Sequence, residues 1–312
     1  MGHHETCQQR LSLAQRCLNL WSTRPKNSYL QNSSQSDAVV NVVMAMNAAA
    51  CRRYRSVIEL CQRGEAEDAE ILNRSLFELV LGTAFVLLPN VSVSASFAVN
   101  KATGQRKRDK EGNVRYRATK SKGRKTTQDF RARLVIAHSI LRDEHHYQEA
   151  QATPGLKRYG RTVSAGMRPI VAKVAKAIGS RWTYILRHKP WTYSGMSIKG
   201  TASLIGNQLA GWYVAVYGPQ SGIVHGSNLY HYVRLDDSGA LLIGESSEVS
   251  AVSKCLHAAN GMFLVGLMLL QKHIGFGSAV ETALCGFHRE HRSTGETEGK
   301  PAAGSAEGRP RG

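Results

Sequence analysis

Apolar side chains recur every three to four residues along most of the chain, and this spacing predicts a mainly α-helical fold. In the first third, the predicted helices run from Leu11 to Trp21, from Ala38 to about Cys61, and from about Glu65 to Leu88. Pro89 ends the third helix because proline cannot continue the backbone hydrogen bonding of a helix. We therefore expect a core made of packed helices.

The periodicity continues in the second half, where glycines and polar segments interrupt it. Gly155–Gly166 predicts a loop, and residues 179–200 are aromatic, basic and rich in turn-forming residues. The predicted helices around them are Thr126 to about Ala150, Arg168–Ile178, Ile198–Tyr217 and Ser247–Ile274. Within the last helix, Leu256–Leu270 is too short and too polar to predict a membrane span. We expect a buried helix there and no transmembrane segment.

Two short regions have the pattern of strands. Val91–Val99 is small and apolar, which fits either a strand or a short helix. Val233–Leu235 and Leu241–Ile243 flank the turn-forming run Asp236-Asp237-Ser238-Gly239 and predict a β-hairpin.

The predicted fold class is an all-α multi-helix bundle with a basic loop insertion and one small β-hairpin. We expect one helical domain over residues 1–288, with its core in 36–275. From Arg289 onward large apolar side chains are missing, so residues 289–312 are predicted to form a disordered tail.

Charge is distributed unevenly along the chain. It has 41 Lys and Arg against 23 Asp and Glu, a formal net charge of +18. Half of that excess lies in residues 101–125, which predicts an exposed, mobile loop with affinity for RNA or DNA. The side chains predicted to contact nucleic acid are Arg106, Lys107, Arg108, Lys110, Arg115, Arg117, Lys120, Lys122, Arg124 and Lys125.

Cysteine usage and motif content narrow the function classes. The six cysteines form no CxxC pair, which is typical of reduced thiols in a cytoplasmic protein, and the N-terminus lacks an apolar signal region. P-loop, GxGxxG and HExxH motifs do not occur in the sequence, so we expect no metal and no cofactor. Cys285-x2-His288-x2-His291 and the His145-His146 pair are weak metal patterns.

Two groups of polar residues stand out against the helical background. Glu78 is the one charge in the apolar run 76–88, and Arg74 precedes it by one helical turn, so we expect a buried ion pair. Farther along, Ser221 and His225 are four residues apart, and His225 has the chemistry of a general base. For each group a structural role in the core and a role in a site both stay open.

These residues also belong to a larger pattern. The pattern comprises Arg74-Ser75-Leu76-Phe77-Glu78, then Tyr193-Ser194-Gly195 with Ser197-Ile198, then Tyr213, Tyr217, Ser221 and His225-Gly226-Ser227. It resembles the helical family catalogued as domain of unknown function family 5677, over about residues 40–275. The resemblance implies an α-helical fold and a shared Arg/Glu/Ser/His cluster, and it supplies no activity. This chain departs from the family pattern at Tyr193, where tryptophan is expected, and at Gly218-Pro219.

Two functional hypotheses follow. The first is an RNA- or DNA-interacting protein, in its sharpest form a metal-independent ribonuclease of defence type with catalytic Arg74, Glu78, Ser221 and His225. Arg133 with His138, and Arg181 with His188, fit the loose Arg-x4-6-His spacing of HEPN-type ribonucleases. The second hypothesis is a non-enzymatic helical interaction module, in which the same four residues only order the core. The sequence leaves the oligomeric state open.

Overall fold

The computed structural model describes residues 3–22, 37–100, 102–121, 126–188, 192–217, 233–235, 241–243 and 249–296. Most of these residues are helical, which confirms the predicted all-α class. The helices are α1 (His3–Ser22), α2 (Asp37–Arg63), α3 (Ala66–Leu87), α4 (Gln128–Ala152), α5 (Lys157–Ile178), α6 (Ser180–His188), α7 (Ile198–Ile205), α8 (Asn207–Trp212), α9 (Val249–His273) and α10 (Ser278–Glu296). A π-helical turn, Tyr213–Tyr217, continues directly from α8.

The strands form two small antiparallel ribbons. β1 (Val93–Phe97) pairs with β2 (Tyr116–Lys120), and β3 (Val233–Leu235) pairs with β4 (Leu241–Ile243). The second pairing confirms the hairpin predicted around the Asp-Asp-Ser-Gly turn. The first shows that the apolar stretch after Pro89 is a strand, one of the two structures its composition allowed.

The chain divides into two compact units, where the sequence predicts a single domain. The first unit contains Met1–Tyr29, Ala50–Phe77 and Pro219–Gly312, and the second contains Leu30–Ala49 and Glu78–Gly218. Both units are discontinuous in sequence. The boundary between them passes through α2 and through α3, so each of these helices belongs partly to one unit and partly to the other.

In the first unit, the core is built around α9. Its residues Leu256, Met262 and Leu264 are buried, and the ring of Phe263 stacks on Tyr54 of α2 at a centroid distance of 4.2 Å. Within the part of the chain that the structure describes, α9 is the one helix long and apolar enough to cross a membrane. Of its most apolar window, 67% is buried inside the protein, as expected for the predicted core helix.

α10 lies where the sequence predicted the start of a disordered tail, and that prediction is wrong for residues 289–296. Thr294 is buried, and its carbonyl accepts a hydrogen bond of 2.8 Å from the guanidinium of Arg10. The same guanidinium donates to the hydroxyl of Ser253 at 2.7 Å. A charge buried in α1 therefore holds α10 in place, which an apolar pattern cannot reveal. Residues 297–312 lie outside the described residues.

The second unit contains an antiparallel pair of helices, α4 and α5. α5 begins at Lys157, so the prediction of a loop over Gly155–Gly166 is wrong. Gly160 lies in the contact, where a Cβ atom would come within 2.7 Å of the Tyr147 carbonyl oxygen and 2.6 Å of the Gln151 amide nitrogen. The glycine is therefore a site of close helix packing rather than a helix breaker.

The basic insertion is folded rather than a mobile loop, which corrects the sequence prediction for residues 102–121. After β1 the chain makes two tight turns, and isolated bridges pair Val99 with Arg106 and Arg108 with Val114 before β2 begins. In the second turn the carboxylate of Asp109 accepts the amide protons of Glu111 (3.0 Å) and Asn113 (2.8 Å). The aromatic and β-branched residues of the Tyr-Arg-Ala-Thr-Lys strand favour this pairing over disorder.

α6 covers one face of this ribbon, in a region that the sequence predicted to be turn-rich. The ring of Tyr184 meets Tyr116 edge-on at 5.6 Å, and the guanidinium of Arg181 lies 5.2 Å from the ring of Phe97. The predicted helix Ile198–Tyr217 is also divided, since α7 ends at Ile205 and α8 starts at Asn207.

Candidate functional site

Glu78 is the centre of a polar cluster in the second unit. Its carboxylate is half-buried on α3, and it accepts a hydrogen bond of 2.9 Å from the hydroxyl of Tyr217. Tyr217 itself is only 6% exposed. The structure thus joins two separate parts of the family-like pattern through one charged hydrogen bond, the stronger kind.

A local change of helix type places Tyr217. Residues Tyr213–Tyr217 form a π-helical turn, and the two tyrosine rings stack at 5.2 Å with their planes 24° apart. π-helical turns are uncommon and occur frequently at functional sites. The four-residue spacing of the two tyrosines was visible in the sequence, but the partner of Tyr217 was not.

Tyr193 brings the middle part of the pattern to the same place. Its hydroxyl is buried and lies close to α3, 3.3 Å from where a Cβ atom on Gly82 would be. Burial, and secondarily the Glu78 carboxylate, raise the pKa of Tyr193. Among the described residues this hydroxyl has no hydrogen-bond partner. Its ring meets His138 of α4 edge-on at 6.2 Å.

The residues around Tyr193 explain why serine and glycine occur there. Ser194 is fully buried, and its hydroxyl is 2.6 Å from that of Thr201. Gly195 has a φ of 66°, and a Cβ atom there would lie 2.4 Å from a methyl group of Ile185. The hydroxyl of Ser197 caps α7 by accepting the amide proton of Gly200 at 3.0 Å. These three residues fix the turn that presents Tyr193.

The structure describes two of the four residues that the sequence predicted to be catalytic. Arg74 and Glu78 are one turn apart on α3, and both are half-buried, which is less burial than the sequence predicted. Their ion pair stays a prediction. Ser221 and His225 lie outside the described residues, so the structure does not test whether the four converge. Tyr193, Tyr217 and Gly82 were not among the predicted site residues, and His138 was predicted only as part of a HEPN-like spacing.

The basic ribbon, defined here as residues 93–120, presents the second candidate surface. Seven of the predicted nucleic-acid residues are described, and all seven are exposed: Arg106, Lys107, Arg108, Lys110, Arg115, Arg117 and Lys120. The guanidinium of Arg106 lies 3.9 Å from the ring of Phe97, and Arg108 donates to the Gly112 carbonyl at 2.7 Å. Lys122, Arg124 and Lys125 lie outside the described residues.

A cavity of about 650 Å³ lies beside the ribbon. Its wall includes Ser94 of β1, Thr127 and Phe130 at the start of α4, and Arg181 and Trp182 at the start of α6. No residue in the wall of this cavity belongs to the Glu78 cluster, which comprises Glu78, Tyr193 and Tyr217.

The two HEPN-like spacings are occupied by unrelated contacts. Arg133 forms an ion pair of 2.7 Å with Asp129, whereas His138 contacts Tyr193. Arg181 lies over Phe97, and His188 stacks on Tyr184 at 4.0 Å. In both Arg-x4-6-His pairs, the arginine and the histidine therefore contact different residues.

Within the described ranges, no three His, Cys, Asp or Glu side chains come together in a geometry suited to a metal ion. His291, from the weak Cys-His-His pattern, instead stacks on His257 at 4.2 Å. Burial and the neighbouring His257, His288 and Arg10 lower the pKa of His291 to about 4. His145 and His146 both approach Glu149, at 3.4 and 3.5 Å.

The protein is therefore predominantly helical and has two candidate functional regions. One is the cluster around the half-buried Glu78 carboxylate, and the other is the basic ribbon. The sequence model described as Family of unknown function (DUF5677) matches residues 40–240, and the chain belongs to that family. This confirms the resemblance seen in the sequence. No curated protein and no solved structure shows significant similarity to the chain.

Proposed function

We propose that this protein binds RNA and that the basic ribbon makes the contact. One observation supports the proposal above all: seven cationic side chains are exposed on an ordered ribbon of antiparallel strands. Because backbone hydrogen bonds and antiparallel pairing constrain this part of the chain, these cations lie on a folded hairpin rather than on a free loop, which lowers the entropy lost on binding. Contacts to phosphate dominate such binding and make it depend strongly on salt.

The test is the affinity of the full chain for a fluorescent single-stranded RNA, measured over a range of salt concentrations. If about six cations contact phosphates, the logarithmic salt slope is roughly −4 to −5. We expect the combined variant Lys107→Gln, Lys110→Gln, Arg117→Gln and Lys120→Gln to reduce that slope by about 3. DNA of the same sequence, measured in parallel, shows whether ribose matters.

The matched control removes the same number of exposed charges from another surface. Arg161→Gln, Arg168→Gln, Lys173→Gln and Lys176→Gln lie on α5, and all four side chains are exposed. We expect this control to keep most of the salt slope. Salt-independent binding, or an equal loss of slope in both variants, would disprove the ribbon as the contact surface.

Substitution is a cleaner experiment than deletion of the insertion. Ser94 and Ser96 of β1 lie within hydrogen-bonding distance of Thr119 of β2, at 3.2 and 3.3 Å. Ala118 of β2 also lies next to Gly195. Removing residues 101–125 would take β2 with it and would disturb the turn that presents Tyr193.

A second candidate function is metal-independent RNA cleavage at the Glu78 cluster, with Arg74, Ser221 and His225 as the further proposed catalytic residues. It is supported by the half-buried carboxylate, held by Tyr217 four residues before Ser221 in the sequence. We place either activity in the cytoplasm, since all six cysteines are free thiols.

Cleavage of a mixed RNA pool with metal chelated separates this candidate from the interaction-module alternative. If His225 is a general base, His225→Ala lowers cleavage by about 100-fold or more while circular dichroism and melting temperature stay the same. If His225 is structural, the substitution lowers stability by roughly 1–3 kcal/mol instead. If the folded wild-type protein does not cleave RNA, the ribonuclease candidate is wrong and the interaction module is favoured. The RNA-binding proposal then depends only on the experiments with the basic ribbon.

A further inference from the structure

Helix α5 carries charge of one sign only. Its six charged side chains are all cations, and all six are exposed. They are Lys157, Arg158, Arg161, Arg168, Lys173 and Lys176. One face of the helix is buried, through Gly160, Ser164, Val171 and Ile178. The cations therefore lie on the part of the circumference that solvent, or a partner, can reach.

That exposed surface also holds an unusual amount of apolar area. Tyr159 is 59% exposed, Ile170 46%, and Leu156, just before the helix, 51%. Tyr159 and Ile170 are eleven residues apart, which is about three helical turns, so they lie on the same side of α5. Pro169 does not remove this relation, because the helix continues through it.

α4 extends the apolar strip. Tyr147 of α4 contacts Tyr159 of α5, with ring centroids 6.2 Å apart. In an antiparallel helix pair, this register brings Ile136 of α4 to the level of Ile170. Ile136 is also exposed, at 37%. Of the six large apolar side chains that are exposed among the described residues, four belong to this helix pair and its connection.

We propose that the α4–α5 pair docks on an anionic lipid surface. A helix whose polar face is rich in Lys and Arg, and which has an exposed apolar strip beside it, is the kind that lies in the membrane–water interface. The cations are attracted to anionic headgroups, and the apolar side chains enter the boundary between headgroups and acyl chains.

Nucleic acid is the competing partner for a cationic helix. Phosphate recognition uses Lys and Arg but requires no exposed aliphatic side chains, whereas a lipid surface uses both. Leu156, Ile136 and Ile170 therefore favour lipid. This docking is independent of the RNA proposal, because it uses α5 and not the basic ribbon.

The experiment is flotation of the full chain with vesicles of phosphatidylcholine alone and of equal parts phosphatidylcholine and phosphatidylglycerol. We expect binding to the anionic vesicles and little to the neutral ones. Tyr159→Ser combined with Ile170→Ser should weaken that binding by about tenfold or more, because the inserted apolar area is lost. Both side chains are already exposed, so the fold should tolerate the change.

The matched control is Val214→Ser combined with Val249→Ser, two exposed valines outside the α4–α5 pair. It should bind vesicles like wild type, and so should the ribbon variant that loses RNA binding. Failure to bind anionic vesicles, equal binding to neutral ones, or binding unaffected by the apolar double substitution overturns the proposal. Loss of RNA binding on neutralising α5, without vesicle binding, assigns this face to nucleic acid instead.

Discussion

At Glu78 a tyrosine hydroxyl replaces part of the hydration that a free carboxylate would have. Tyr217 donates to it at 2.9 Å, and the tyrosine is buried while the carboxylate is half-buried. Removing either group leaves the other partly unsatisfied in a region of reduced dielectric. The pair is therefore coupled, and its energy should appear in a double-mutant cycle.

We expect Tyr217→Phe to lower the free energy of unfolding by about 1–2 kcal/mol, because it deletes a hydrogen bond to a charged group. Glu78→Gln should cost less when Tyr217→Phe is already present than it does in the wild-type protein. Thermal melts of the two single variants and the double variant measure this. Tyr213→Phe, which keeps the ring stacked on Tyr217, is the control and should stay within about 0.5 kcal/mol of wild type. Strict additivity would contradict the coupling.

The sequence identified Glu78 correctly as a special residue but could not supply its partner. A lone charge in an apolar run is visible in one dimension, whereas Tyr217 is 139 positions away. Tyr193 was noted only as a departure from the family pattern. Its importance comes from Gly82, which leaves room for its hydroxyl on α3. Contacts of this kind depend on how the surfaces of two elements fit together. The spacing of apolar residues along the chain does not predict that fit.

Among the elements, the end of α3 shows how a buried charge can replace a cap. Arg131 of α4 is fully buried, and its guanidinium donates to the carbonyls of Val86 (2.9 Å), Leu88 (2.7 Å) and Val91 (2.7 Å). Two of these carbonyls come from the last turn of α3 and the residue after it, where intrahelical partners run out. Burial lowers the pKa of Arg131 to about 10.

Arg131→Met should lower the free energy of unfolding by on the order of 3–5 kcal/mol, because several buried carbonyls lose their donor together. Arg133→Met is the matched control on the same helix. Its ion pair with Asp129 is exposed, so the cost should be about 0–1 kcal/mol. Urea titration followed by circular dichroism compares the two. Equal costs would show that Arg131 contributes no more than a surface pair.

Helices with an apolar stripe were predicted correctly from the sequence. Elements that are held in place by polar or small residues were not. α2, α3 and α9 follow from periodicity almost to their ends. The first turns of α5 do not follow from the sequence, because the glycines in Gly155–Gly166 are typical of a loop. β2 was missed because its cations suggested disorder, although Tyr116 and Ala118 face the protein. The last turns of α10 depend on Arg10, 284 residues from Thr294.

At the scale of the whole molecule, the two units share helices α2 and α3. α2 runs through the boundary at Ala49–Ala50, and α3 runs through it at Phe77–Glu78. We expect that unfolding one unit's part of either helix would fray the part that belongs to the other unit. This arrangement differs from two domains joined by a linker, in which each can unfold alone.

We therefore expect a single cooperative unfolding transition with a calorimetric enthalpy close to the van't Hoff enthalpy. Arg10→Met perturbs the first unit, where the guanidinium is fully buried, and Arg131→Met perturbs the second. Each variant should shift the whole transition to lower temperature rather than split it, because the shared helices transmit the loss. Differential scanning calorimetry of both variants decides the matter. A second transition that appears in one variant, with the other part melting at the wild-type temperature, would show that the units unfold independently despite α2 and α3.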